Sequence, residues 1–278
     1  MFKRNAFPLA LMGWTLAILL AAAAIPGVFA RDFYEPWLGR RGLVPAQCLV
    51  QDLAALLLAP VLALAIARAL RGSARALVAW GGILVFSLYY YSFYGMDKLY
   101  TPLYPAYLAI MGLGAWSLVA LFASVDLEAF AGRARARVRA RVPARAGAIV
   151  LGSTLLFIPI WISMLVSGIR SQSVAPASTV FLLDLSFLIP ASLWTAVQLW
   201  KMKPAGLLAG GILLFKAAVS GLVLTAGSLA MTASGSALNI GELCLYLLLA
   251  IPGGCVLALF LARLGGPEGE GHRRQAKA

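Results

Sequence analysis

Two apolar runs flank the basic turn Lys201-Met202-Lys203-Pro204, and each is long enough to cross a bilayer. Six further runs of the same kind precede and follow them, at about 7–30, 46–70, 76–94, 102–125, 147–169 and 242–264. With the pair at 179–200 and 205–230 this makes eight, and little chain remains for a separate water-soluble domain. Hydrocarbon cannot satisfy exposed backbone amides, so such runs have few ways to fold, and apolar stretches of this length become helices. The fold class expected is therefore all-α: a polytopic transmembrane helix bundle of eight spans.

Composition agrees. The chain is 62% hydrophobic and only 12% charged, with mean hydropathy +0.90. A formal net charge of +13 would suggest nucleic acid as a partner if it covered a folded surface. It lies instead in short segments between apolar runs, where lysine and arginine set orientation, and no nucleic-acid partner is expected. With the N-terminus placed in the cytoplasm, 17 basic residues fall on the cytoplasmic side and 5 on the other, leaving Lys216 within a run. Both termini are thus expected in the cytoplasm. The first run is preceded by Lys3 and Arg4 and ends in Val28-Phe29-Ala30, which resembles a signal-peptide cleavage site. Its length fits an uncleaved first span better.

The domain plan follows. Residues 1–264 form one transmembrane domain, interrupted by a basic cytoplasmic loop at 126–146, and 265–278 form a disordered cytoplasmic tail. The loop carries six arginines between Arg133 and Arg145. A topology signal explains them most simply, while an anionic lipid or protein partner at 133–145 is the functional alternative. Apart from these, the bilayer is the partner the sequence implies.

Short strings recur between the halves. Gly81-Gly82-Ile83-Leu84 in the third run returns as Gly210-Gly211-Ile212-Leu213 in the seventh. Asp52-Leu53 with Pro60 returns as Asp184-Leu185 with Pro190, and Leu118 to Phe122 resembles Val256 to Phe260. Two repeats, 1–125 and 147–264, would each hold four spans and so share one orientation, related by an axis along the membrane normal. Chance recurrence in a small apolar alphabet explains the same strings equally well.

Ionisable groups inside spans are costly, roughly 2.5–3.5 kcal/mol each on insertion scales, and mark function by default. Asp52 and its neighbour Gln51, Asp184, Lys216 and Ser220 are the candidates for ligand or ion binding. Asp184 and Lys216 have similar expected depths on antiparallel neighbouring helices. They are expected to face each other, with Asp52 and Ser220 nearby and the tyrosines ending the third run lining the place. A structural ion pair is the plainer alternative. Glu242, at the start of the eighth run, suits a helix N-terminus.

Several chemistries are excluded. The single histidine, His272, lies in the tail, so no Ser-His-Asp set or His-ligated metal is expected inside the bundle. Cys48, Cys244 and Cys255 have no metal-ligand spacing. No nucleotide-binding fingerprint occurs, and no cofactor or catalytic residue is expected. A lysine in a seventh helix also suits a retinal Schiff base, but the third run offers no carboxylate counter-ion. Three functions then compete: a small-molecule or ion-coupled transporter, a non-catalytic membrane subunit or scaffold, and an intramembrane enzyme acting on a lipid-like substrate through Asp52 or Asp184.

Gln51-Asp52-Leu53, the string Tyr100 to Leu118, and the stretch from Asp184 through Trp200, Lys203-Pro204-Ala205-Gly206 and Lys216 resemble a loose group of bacterial and archaeal polytopic membrane proteins. The resemblance covers about half the chain and implies the span pattern and a place in the cytoplasmic (inner) membrane of a bacterium or archaeon, with no activity attached.

Overall fold

A computed structural model describes residues 2–3, 6–30, 33–38, 45–135, 141–173 and 178–264. Of the described residues 88% are helical, and among them eight helical segments are long and apolar enough to cross a membrane. It is a polytopic helical membrane protein. The first four spans are α1 (Phe7–Phe29), α3 (Pro45–Leu70), α4 (Ala74–Met96) and α5 (Tyr104–Ser124), with the short α2 (Glu35–Leu38) between α1 and α3. Then come α6 (Leu127–Arg135), α7 (Arg141–Gly152) and α8 (Phe157–Ser171), followed by α9 (Ser178–Leu183), α10 (Ile189–Trp200), α11 (Pro204–Ala233) and α12 (Ile240–Leu264). Together α7 and α8 make the fifth span, and α9 and α10 the sixth.

The stretch 126–146, expected as a loop, carries helix on both sides of residues 136–140. Asp126 starts α6 by accepting a hydrogen bond from the Ala129 N–H at 3.1 Å, the ordinary way for an aspartate to begin a helix. The tail 265–278 lies outside the described residues. Arg75, although exposed, donates to the Leu261 carbonyl at 2.8 Å and so satisfies the C-terminal end of α12.

Two spans depart from regular α-helix. The fifth tightens into a 3₁₀ turn at Ser153–Leu156. There Ser153 and Thr154 hydroxyls bond back to Val150 and Leu151 carbonyls at 2.6 and 2.7 Å. Pro159 offers no N–H to Leu155 and its ring crowds that carbonyl, which bends the chain away. Beyond the break, no residue of α8 is buried. The sixth span widens to a π-turn at Asp184–Leu188, where the Ile189 N–H reaches the Asp184 carbonyl five residues back. Pro190 forces the same kind of relief, and Asp184 opens the widened turn.

The core is built around α4 and α11, the most buried spans. They approach closely because glycines face the partner: a Cβ on Gly81 or Gly82 would collide with Ile212 or Phe215, and one on Gly211 would meet Val78 at 3.0 Å. The sharp reversal between α10 and α11 places Met202 at φ 54°, with Pro204 in the first turn of α11. Each half closes on itself in the same order. In the first, α1 meets α3, α3 meets α4, α4 meets α5 and α5 returns to α1. In the second, α7 meets α10, α10 meets α11, α11 meets α12 and α12 returns to α7.

Candidate functional site

The run Tyr89-Tyr90-Tyr91-Ser92-Phe93-Tyr94 on α4 divides the polar interior. Successive residues turn by about 100°, so these rings fan across two sides of the helix. Tyr91 and Tyr94 serve the first half; Tyr89 and Tyr90 serve the second.

On the first side stands Asp52, 1% exposed. Its Oδ2 accepts from the Tyr34 hydroxyl at 2.6 Å, and its Oδ1 lies 3.4 Å from the Tyr94 hydroxyl. That hydroxyl is equally 3.4 Å from the Cys48 carbonyl. Tyr107 closes the cluster, its ring centroid 5.0 Å from that of Tyr94 and 5.7 Å from that of Tyr91. Gly27 on α1 makes room, since a Cβ there would strike the Asp52 carboxylate. Tyr34 belongs to the connector after α1, outside the spans, yet is buried. Burial, with the Asp52 carboxylate beside it, holds its phenol well above the ordinary tyrosine range. Tyr34 therefore remains a hydrogen-bond donor to Asp52.

On the second side stands Asp184, 8% exposed. Its Oδ1 accepts from the Tyr89 hydroxyl at 2.7 Å and its Oδ2 from the Trp161 indole N–H at 3.1 Å. Thr179, one turn earlier on α9, donates to Asp97 just past the end of α4, which holds the start of the sixth span against α4. Lys216, 6% exposed, places its Nζ 3.7 Å from the Tyr89 ring centroid. The carboxylate and the amine thus share Tyr89, the first at its hydroxyl and the second at its π-face. Among the described residues no acceptor takes a hydrogen bond from the Lys216 amine.

Ser220, one turn further along α11, is 2% exposed and its Oγ has no hydrogen-bond partner among the described residues. The Tyr90 hydroxyl points to the Ser220 carbonyl at 3.5 Å. Phe157 and Trp161 stack with centroids 6.1 Å apart, and Phe181 lies 6.5 Å from Trp161, giving an aromatic wall beside Asp184.

Of the residues singled out in the sequence, Asp184, Lys216 and Ser220 belong to this second cluster. Asp52 stands in its own cluster across α4. Gln51, one position earlier on α3, is half-buried and joins neither set of hydrogen bonds. Ser87, which stands opposite Lys216 when Gly81 is aligned with Gly210, bonds back to the Ile83 carbonyl at 2.8 Å. Glu242 is exposed in the first turn of α12, where Asn239 caps its N–H at 3.2 Å. Trp161 and Tyr34 are additions from the structure. Neither carries a charge that would have marked it in the sequence, and each lies far along the chain from the aspartate it serves.

No metal-ligand cluster of three or more histidine, cysteine or acidic side chains occurs among the described residues. Comparison with protein-family models, curated proteins and solved structures yields no match.

Proposed function

We propose that the protein is a transporter-like membrane protein for a small polar or ionised solute, with Lys216, Tyr89, Asp184, Trp161 and Ser220 as its intramembrane site. One observation carries this reading: a buried amine with three donors and no acceptor among the described residues. A purely structural lysine at this depth would be expected to find its carboxylate directly, because an unpaired charge in a span is costly. Here both oxygens of that carboxylate are already engaged by neutral donors, and the amine can take another partner.

The matching order of neighbours in the two halves supports a further part of the reading, that they are repeats of one orientation enclosing a central path. The exposure of α8, none of whose residues is buried, supports access to the site from the side of Asp184. Uptake into proteoliposomes tests the reading with labelled probes: a monocarboxylate, an amino acid, a sugar and a quaternary amine. At least one should accumulate with the wild-type protein and fall to the empty-liposome level with Lys216→Met. Wild-type uptake equal to that of empty liposomes for every probe would instead favour the scaffold.

The orientation belongs to the same proposal. Reporter fusions after Leu70 and after Trp200 should report the cytoplasm, and one after Asp97 the outside. One reversed signal would reject the topology.

A further inference from the structure

We propose that the partner of Lys216 is a carboxylate monoanion, bound together with a proton on Asp184. The proposal rests on the reading of Lys216 as a solute site and names its ligand class. The donor balance points to it. Lysine ammonium only donates, the Ser220 hydroxyl is buried without a partner among the described residues, and the two lie one turn apart on the same face of α11. The nearby acid is occupied twice, by Tyr89 and Trp161. Its oxygens keep further lone pairs, yet none of them accepts from Lys216; an acceptor from outside fits this gap, and two donors from adjacent turns match the two oxygens of one carboxylate. A cationic amine is excluded by repulsion from Lys216. Phosphate would bring more charge and more oxygens than this pair of donors can satisfy. The aromatic wall of Phe157, Trp161 and Phe181 offers an apolar surface to the rest of the ligand.

Charge balance supplies the proton. By themselves the site's own side chains hold one cation and one anion. A second anion would leave a net negative charge in a low-dielectric interior, which is strongly unfavourable. A proton from water placed on an Asp184 oxygen restores neutrality while Lys216 keeps its charge for the ligand. The titratable groups around Asp184 are Tyr89 and Tyr90 from α4 and Lys216 from α11; Tyr246 of α12 lies behind Tyr89 and Tyr90, with Glu242 beside it. Asp97 lies beyond Thr179. Within the cluster itself, Asp184 is the group whose type is ordinarily deprotonated at neutral pH and so has a proton place to fill.

Calorimetric titration of the full chain in detergent with benzoate tests this, repeated in buffers of different ionisation enthalpy. Wild type should bind with uptake of about one proton per benzoate, by the charge argument above. Asp184→Asn should still bind, with proton uptake near zero. Ser220→Ala should bind about tenfold more weakly, a loss typical of one hydrogen bond to a charged group. Lys216→Met should show no binding, with circular dichroism and gel filtration confirming the fold. Binding without proton uptake by wild type would overturn the proposal, as would benzoate affinity unaffected by Ser220→Ala, or binding of benzylamine in place of benzoate. Laurate binding with the same proton count, where benzoate fails, would keep the carboxylate site and place its ligand in the lipid phase. Benzoate binding with a proton but no uptake of any solute into proteoliposomes would end the transport reading alone.

Discussion

Asp184→Asn is expected to destabilise the bundle by up to about 3–5 kcal/mol, the range for leaving a buried charge without its countercharge. Lys216 would then keep only the face of Tyr89, and a desolvated cation–π contact contributes about 2 kcal/mol. Lys216→Met alone should cost less, about 1–3 kcal/mol, because Asp184 retains its hydrogen bonds from Tyr89 and Trp161. The double variant removes both charges and should be more stable than Asp184→Asn by itself. Tyr89 separates the two roles further. Tyr89→Phe keeps a ring for Lys216 and removes one donor from Asp184, whereas Tyr89→Leu removes both. Unfolding in detergent across this set gives the coupling between the charges. Strictly additive single and double changes would show that Asp184 and Lys216 do not sense each other through Tyr89.

Gly221→Leu should be the most disruptive single change in the helix contacts. At Gly221 a Cβ would meet the backbone of the facing helix, lying 2.7 Å from the Ala250 Cα and 2.9 Å from its Cβ. Backbone cannot swing aside as a side-chain tip can, so α11 and α12 must separate along the place where they are closest. Overpacking of this kind costs about 1–3 kcal/mol for tolerated cases, and Gly221→Leu should exceed that range. Even Gly221→Ala should destabilise. Gly112→Ala is the control: nothing lies within 4 Å of its added Cβ, and the gain in helix propensity is up to about 1 kcal/mol. Equal melting temperatures for Gly221→Ala and Gly112→Ala would mean that the α11–α12 contact is looser than described.

The span plan was legible in the residues because a bilayer imposes a length. About 20 apolar residues must be helical to hide their amides, so all eight spans could be placed within a few residues of their observed ends. Asp184, Lys216 and Ser220 were legible for a related reason: polar groups in such runs stand out. The sequence also put Asp184 and Lys216 on neighbouring antiparallel helices, because Lys201 to Pro204 leaves room only for a tight reversal. What it could not determine was the partner of each group. The choice of Tyr34 for Asp52, and of Tyr89 and Trp161 for Asp184, depends on helix rotation and on two local distortions. The 3₁₀ break at Ser153–Leu156 carries α8, and Trp161 with it, out of the regular path of the fifth span. The π-turn begins at Asp184. A rotation of about 100° per residue turns one extra or missing residue in a turn into a different side of the helix, and that geometry is settled only when the spans pack together.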